Sequence, residues 1–190
     1  VRLSGVELSA AAQNNGVDTG EGGFLAYGSV LDLTAPRAVS SEGSMSLLGC
    51  DIRLEADGTD SLFSFTEANV LGGTILAWAD SGTEESLLAK GSVPGSLLFV
   101  FGDPLAAGTE ITLSDPNGNA VMTLVRETDV GAVLISSGGL MEGQTYTMTA
   151  GEDISFDVEI DTEGCVVMAT ASTVSTHSGG WGGPMPGGWR

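Results

Sequence analysis

The chain has 190 residues, and 25 acidic residues against six Lys and Arg give it a formal net charge of −19. This charge disfavours binding to the phosphate backbone of nucleic acid and to anionic membrane surfaces. With 42% hydrophobic residues, the chain has enough apolar side chains for a core, which excludes global disorder. No segment approaches the roughly 20 apolar residues of a membrane-spanning helix, so we expect no membrane insertion.

Cysteine and histidine are scarce. Cys50, Cys165 and His177 are too few, and too far apart, for a thiolate or imidazole metal site. Either the two cysteines are small buried hydrophobic residues, or they pair with each other. No signal-peptide pattern precedes the strand-like residues 1–10, so we expect a fragment that is cut inside a repeat.

A repeat fills the first half of the chain. Four segments share an initial glycine, a short alternating strand and a final alanine: 5–10, 28–35, 49–56 and 72–79. Their final alanines stand at 10, 35, 56 and 79, in steps of 25, 21 and 23. Short strands at this repeat length predict a parallel β-helix, in which about three strands form each rung and the rungs stack.

Other strands are predicted within the rungs, at residues 24–27, 45–48 and 62–65. A single rung cannot bury its own inward apolar side chains, so neighbouring rungs must cover one another. If the chain begins inside the repeat, the first rung lacks one neighbour, and we expect it to be frayed or adhesive.

The pattern changes at Leu97 to longer alternating strands joined by tight turns. Seven strands are predicted, at residues 97–101, 110–114, 120–125, 132–136, 145–149, 154–160 and 165–171. Their spacing favours a small antiparallel sheet or sandwich. Asp115-Pro116-Asn117-Gly118 predicts a hairpin, because proline presets the first central position and glycine accepts a positive φ.

Tyr146 lies in the segment Leu140–Thr147, which resembles the approach to a tyrosine corner. An ordinary half-buried strand tyrosine is the alternative. The predicted fold class is therefore all-β: a truncated N-terminal parallel β-helix followed by a small antiparallel β module. The predicted regions are rungs at 1–90, the module at 91–172 and a disordered tail rich in Gly, Pro and Trp at 173–190.

Several segments together resemble a family of bacterial secreted carbohydrate-binding β-helix proteins with members that bind pectin and cellulose. The similarity is strongest from 72 to 150, and the segments that carry it are 72–77, 107–115, 118–119, 133–137 and 140–147. In addition, Asn15-Gly16-Val17-Asp18 resembles the Asp-Gly-Ile-Asp motif of that family. The resemblance implies a right-handed parallel β-helix that binds acidic plant polysaccharide with calcium, in a secreted or cell-surface protein.

Calcium takes six to eight oxygen ligands, and stacked rungs supply them when carboxylates and turn carbonyls meet at one corner. The candidates lie in two turns: Asn14, Asn15 and Asp18 in the first, Asp57 and Asp60 in the second. Asn15 stands where the family motif has aspartate. Solvated turn residues are the alternative for all five. The acidity fits a calcium role, because divalent cations bridge an anionic protein to an anionic polymer.

Sugar rings stack on exposed aromatic side chains, and Tyr27 and Trp78 are the candidates for that role. For Trp78, packing of the last rung against the second module is the alternative. The predicted function is therefore non-catalytic binding of a polysaccharide, polygalacturonate or a cellulose-like polymer, with a structural or adhesive surface scaffold as the alternative.

Enzymatic alternatives have weaker support. A pectate-lyase-like enzyme needs a basic side chain beside calcium, for which Arg37 and Arg53 are candidates if they share a face. A glycoside hydrolase needs two carboxylates across a cleft, for which Asp51, Glu55 and Asp57 are available. Since His177 is the sole histidine and lies next to the predicted tail, we expect no serine-nucleophile site.

Overall fold

A computed structural model describes residues 1–56, 63–64, 67–80, 95–160 and 167–171. These residues confirm the all-β class, because their regular secondary structure is entirely strand. The strands are β1 (Arg2–Ser4), β2 (Glu7–Ala11), β3 (Asn15–Asp18), β4 (Phe24–Tyr27), β5 (Val30–Thr34), β6 (Arg37–Ser40), β7 (Ser44–Ala56), β8 (Phe63–Ser64), β9 (Glu67–Ala79), β10 (Ser96–Leu105), β11 (Glu110–Ser114), β12 (Ala120–Val125), β13 (Val130–Ser137), β14 (Thr145–Ala150), β15 (Ile154–Glu159) and β16 (Val167–Ala171). Within the described ranges no helix is long and apolar enough to cross a membrane.

Strands β1 to β9 form three parallel ladders. Ladder one contains β1, β4 and the first halves of β7 and β9, and ladder two contains β2, β5 and the second halves of β7 and β9. Ladder three contains β3, β6 and β8. The chain visits the ladders in the order one, two, three and then returns to ladder one. We call each such passage a rung, so β1–β3 make rung 1, β4–β6 rung 2, β7–β8 rung 3 and β9 rung 4.

Glycine marks the corner between ladders one and two in every rung. Gly5, Gly28, Gly49 and Gly72 all have φ between 51° and 69°, which a residue with a Cβ adopts at a cost. Neighbouring strand registers place them one above the other. The glycine starts of the predicted repeat therefore occupy equivalent positions.

The predicted alignment by final alanines is correct in the later rungs and wrong in rung 1. Ala56 pairs with Ala79, and the amide of Ala35 donates to the carbonyl of Glu55. In rung 1 the equivalent position is Ala12, whose amide donates to Thr34, while Ala10 pairs with Leu33. The glycine corner thus fixes the register, whereas alanine also occurs two residues earlier in the first rung.

The core of the ladders consists of side chains stacked from rung to rung. One column contains Leu8, Leu31, Ile52 and Ile75, which occupy equivalent positions in ladder two. The last three are almost fully buried, whereas Leu8 is half-buried. Rung 1 has a neighbour on one side only, and its inward side chains are therefore less covered.

The predicted strands within the rungs belong to two ladders. Residues 24–27 coincide with β4, and residues 45–48 lie in β7, both in ladder one. Of the predicted strand 62–65, the structure describes Phe63 and Ser64, which pair with Val39 and Ser40 in ladder three. The ladder-one strand of rung 4 begins at Glu67 instead.

The sheet does not stop at the last rung. β9 pairs in parallel with β7 on one side and antiparallel with β13 on the other, and β13 continues to β10 and β16. A second sheet has the antiparallel order β12-β11-β14-β15. Its apolar face packs with Trp78, Leu97 and Phe99 of the first sheet in a second core. The ladders and the antiparallel part therefore share strand β9.

All seven strands predicted from Leu97 onward are present, with four residues at most added or lost at one end, and residues 165–166 lie outside the described ranges. The hairpin is also confirmed: Gly118 has φ +83° and its amide donates to Asp115 O at 2.9 Å. The Tyr146 hydroxyl donates to Gly139 O at 2.9 Å and accepts from the amide of Met141 at 2.8 Å. Tyr146 is 2% exposed, so the tyrosine corner is correct.

Cys50 is a free, buried thiol on β7. Cys165, for which pairing with Cys50 was the alternative to a buried thiol, and the predicted tail 173–190 lie outside the described residues.

Candidate functional site

The predicted calcium turn in rung 1 is closed by its own hydrogen bonds. The Asn15 amide nitrogen donates to one Asp18 carboxylate oxygen at 2.6 Å, and the Gly20 amide donates to the other at 2.9 Å. These two bonds, with a smaller contribution from the charge of Arg37, hold the pKa of Asp18 below its ordinary value. Asn14 is exposed, and its carbonyl accepts from the amide of Arg37. The turn matches the Asx-turn alternative.

The other two predicted calcium ligands, Asp57 and Asp60, lie outside the described residues. In the described part of the chain, no three His, Cys, Asp or Glu side chains are grouped closely enough to hold a metal ion. Calcium binding therefore stays a prediction that depends on Asp18 and on residues 57–60.

Tyr27 lies on the outer face of ladder one, at the end of β4. It is 61% exposed and is in register with Leu48 of β7, which in turn pairs with Leu71 of β9. Leu71 is 45% exposed. Because adjacent strands are about 4.8 Å apart, the three side chains form a continuous apolar strip, which we call the Tyr27 strip. Its exposure makes it accessible to the apolar face of a sugar ring.

Trp78 packs between the last rung and the second sheet, which was the alternative to sugar stacking for this residue. It is 5% exposed and lies in the second core, with residues of both sheets. The Arg126 guanidinium lies 4.6 Å from the centre of its ring, which is a cation–π geometry. No ring face of Trp78 is open to a glycan here, so the expected stacking role is wrong for this residue.

Arg126 also connects the antiparallel part to the ladders. Its Nη2 atom lies 2.6 Å from Oε2 of Glu55, and Glu55 is the ladder-two neighbour of Trp78. The side chains are 31% and 16% exposed, so the pair is partly shielded from solvent screening. This contact fixes the second sheet over one end of ladder two.

A groove of about 580 Å³ lies beside that contact, between the outer face of ladder two and strand β12. This volume lies in the range of small-molecule sites. The polar residues that line it are Asp32, Asp51, Arg53, Thr74, Thr123 and Ser137. The ladder registers bring Asp32 opposite Arg53 and Asp51 opposite Thr74.

The structure does not assemble the predicted enzymatic sites. Arg37 belongs to ladder three and Arg53 to ladder two, so the expectation of a shared face is wrong. Asp51 and Glu55 are four residues apart on one strand, roughly 13 Å at the usual rise per residue, beyond the separation of paired glycosidase carboxylates. Asp57 lies outside the described residues.

Sequence reasoning did not find the groove, because its two walls are far apart in the chain. Asp32, Arg53 and Thr123 carry no motif and meet only when β12 folds over ladder two. The alternation of exposed and buried residues in β5 and β7 places Asp32, Asp51 and Arg53 on the outer face. This part of the arrangement could be predicted from the sequence.

Comparison of the chain with protein-family models, curated proteins and solved structures gave no match.

Proposed function

We propose that this protein is a non-catalytic carbohydrate-binding protein. The single observation that supports this function is the Tyr27 strip, in which an exposed tyrosine continues into two aliphatic side chains along one sheet face. A flat apolar strip on a rigid sheet suits the CH face of a pyranose ring, since an aromatic platform stacks there without ordering a loop.

Polar residues flank the strip, as a sugar ligand requires. Ser46 and Asn69 lie two positions before Leu48 and Leu71 on the same outward face of ladder one, because residues i and i+2 of a strand share a face. A glycan stacked on the strip meets hydroxyl and amide groups at its edge, and these groups both donate and accept hydrogen bonds.

The fuller form of the proposal follows the family resemblance. In this form the rungs, stacked into three parallel ladders, make a right-handed parallel β-helix. The ligand is an acidic plant polysaccharide bound with the help of calcium, and the protein acts outside the cell. The parallel registers in steps of 21 to 24 residues support the β-helix part.

Retention on immobilised polysaccharides tests the function. The full chain is passed over polygalacturonate and over cellulose, each in calcium and in chelator, with Tyr27→Ala as the variant. We expect retention on at least one polymer and at least tenfold weaker binding of Tyr27→Ala. The matched control is Met141→Ala, because Met141 is an exposed apolar residue that does not belong to the strip. This variant should bind like the wild type.

Three results separate the alternatives. Retention that disappears in chelator supports the calcium part. No retention in any buffer contradicts carbohydrate binding and favours the scaffold alternative. The appearance of unsaturated products or new reducing ends shows catalysis and overturns the non-catalytic assignment.

A further inference from the structure

The groove beside ladder two has a built arrangement of charges that the Tyr27 strip does not share. On the outer face of the ladder, Asp32 and Arg53 are neighbours across strands β5 and β7, and Asp51 precedes Arg53 by two residues on β7. Neighbouring strands are about 4.8 Å apart and alternate residues roughly 6.6 Å apart. Two carboxylates therefore neighbour one guanidinium, one across the strands and one along the strand, on the scale of a single sugar residue.

Hydroxyl groups and apolar side chains complete the groove. Thr74 continues the row of Asp51, and Thr123 of β12 belongs to the lining of the opposite wall. Leu76 and Met122 add apolar surface. Small-molecule sites combine an apolar surface with a few convergent polar groups in this way.

The contact between Arg126 and Glu55 joins the end of β12 to ladder two beside the groove. Glu55 follows Arg53 by two residues on the outward face of β7, so the contact closes the groove at that end. The wall formed by β12 is thereby held by a partly buried ion pair rather than by a loop. A site on rigid strands loses little conformational entropy when a ligand binds.

The charges select the class of ligand. Without calcium, an anionic ligand is repelled by two aspartates and by a chain of net charge −19, and of the lining residues Arg53 alone attracts it. A cation is repelled by Arg53. A neutral polyhydroxyl ligand donates hydrogen bonds to the carboxylates and accepts them from the guanidinium, and charge-assisted hydrogen bonds of this kind are the stronger ones.

The geometry points to a neutral oligosaccharide as the ligand of this groove, held by Asp32, Asp51 and Arg53 and bound without calcium. This inference rests on the carbohydrate-binding part of the proposed function and gives the groove a ligand class of its own, different from the acidic polymer that the family resemblance implies. The groove adjoins the Tyr27 strip across the glycine corner, since Val30, three residues after Tyr27, lines the groove.

Calorimetric titration of the full chain tests the inference. The probes are cellohexaose and mannohexaose as neutral glycans and a galacturonic acid hexamer as the acidic one, each in calcium and in chelator. We expect a neutral hexamer to bind in chelator and Asp51→Ala or Arg53→Ala to weaken that binding at least tenfold. Asp153→Ala is the matched control, because Asp153 is exposed and does not line the groove.

Removal of the two negative charges gives a second test, because it should strengthen binding of the acidic hexamer, which loss of folding cannot do. In Asp32→Asn/Asp51→Asn the two repulsive charges are removed and Arg53 remains, so we expect binding of the acidic hexamer to increase at least fivefold. Arg53→Gln should show no such increase.

The possible failures are distinguishable. Binding that Tyr27→Ala abolishes while Asp51→Ala and Arg53→Ala leave it unchanged keeps the proposed function and overturns the groove. Tighter binding of the acidic than of the neutral hexamers by the wild type in chelator also overturns the groove. If no probe binds in any buffer, both proposals fail.

Discussion

The parallel ladders and the antiparallel second sheet both pair their strands, but the two regions differ in how their strands are connected along the sequence. In the ladders, each residue pairs with a partner 21 to 24 positions away. In the second sheet, β11 turns directly into β12 through Asp115–Asn119, and β14 turns into β15 at Gly151. Ladder stability therefore depends on identical corners in successive rungs, whereas the second sheet depends on individual turns.

The sharpest way to break the ladders is a side chain at a stacked position with no room. Gly73 has φ +84°, and a Cβ there would overlap the backbone of Cys50 in the rung below, whereas a Cβ on Gly72 has open space around it. We expect Gly73→Ala to lower the free energy of unfolding by about 3–5 kcal/mol, from positive-φ strain together with overpacking. Gly72→Ala is the matched control, with about 1–2 kcal/mol of strain alone.

Urea unfolding at one temperature measures both changes. Equal effects of Gly72→Ala and Gly73→Ala would show that the corner, and not the contact between rungs, sets the stability of the ladders.

Burial in successive rungs provides the second test. Leu31 and Leu8 are equivalent residues in neighbouring rungs, and Leu31 is buried while Leu8 is half-buried. We expect Leu31→Ala to cost about 2–5 kcal/mol and Leu8→Ala less than half as much, because less apolar area and a smaller cavity are involved. Thermal unfolding of both variants measures the difference. A cost for Leu8→Ala as large as for Leu31→Ala would indicate that rung 1 is covered in solution.

In the antiparallel part the largest single effect is expected at Tyr146. Tyr146→Phe removes the hydroxyl that bridges Met141 and Gly139 and leaves the Met141 amide, in a part-buried hydrogen bond, without its acceptor, at a cost of about 1–3 kcal/mol. Tyr27→Phe is the matched control, because the Tyr27 side chain is exposed, and it should change stability by less than about 0.5 kcal/mol. Chemical denaturation compares the two, and equal values would mean that the corner does not stabilise the fold.

The smallest effect concerns two turn carboxylates, one in each region. Both Asp18 and Asp115 have a pKa below the ordinary 3.8, Asp18 through Gly20 and Asn15, and Asp115 through Asn119 and Asn117. A lowered folded-state pKa stabilises the fold above the unfolded value, and this stabilisation is lost as the pH falls through the folded value. The loss is therefore expected below about pH 3.8.

Carboxyl-carbon NMR titration measures these pKa values directly. Asp115 accepts bonds from two amides and one side chain, so we expect it to titrate at lower pH than Asp18. Asn15→Ala should raise the pKa of Asp18 and leave Asp115 unchanged. A pKa of 3.8 or above for Asp18 in the wild type would contradict the turn geometry.

The same comparison explains what could be predicted from the sequence. Strands β11 and β12 were predicted with their observed bounds, because proline and glycine in a hairpin act over a few residues. The alanine alignment failed at Ala10 and Ala12, because stacking between rungs selects among near-equivalent small residues far apart in sequence. The groove escaped prediction for the same reason, since Arg53 and Thr123 meet only through tertiary folding. Exposure of Tyr27 and burial of Trp78 likewise depend on which strand covers each outer face.

Strand β9 has one further consequence. With a parallel partner on one side and an antiparallel partner on the other, it ends the stacking direction, so a whole rung inserted before rung 3 leaves the partners of β9 and the contact of Arg126 with Glu55 unchanged. We therefore expect lengthening by duplication to be tolerated on that side. Designed versions with an extra copy of residues 28–48 would extend the Tyr27 strip by a second Leu48 on the same face.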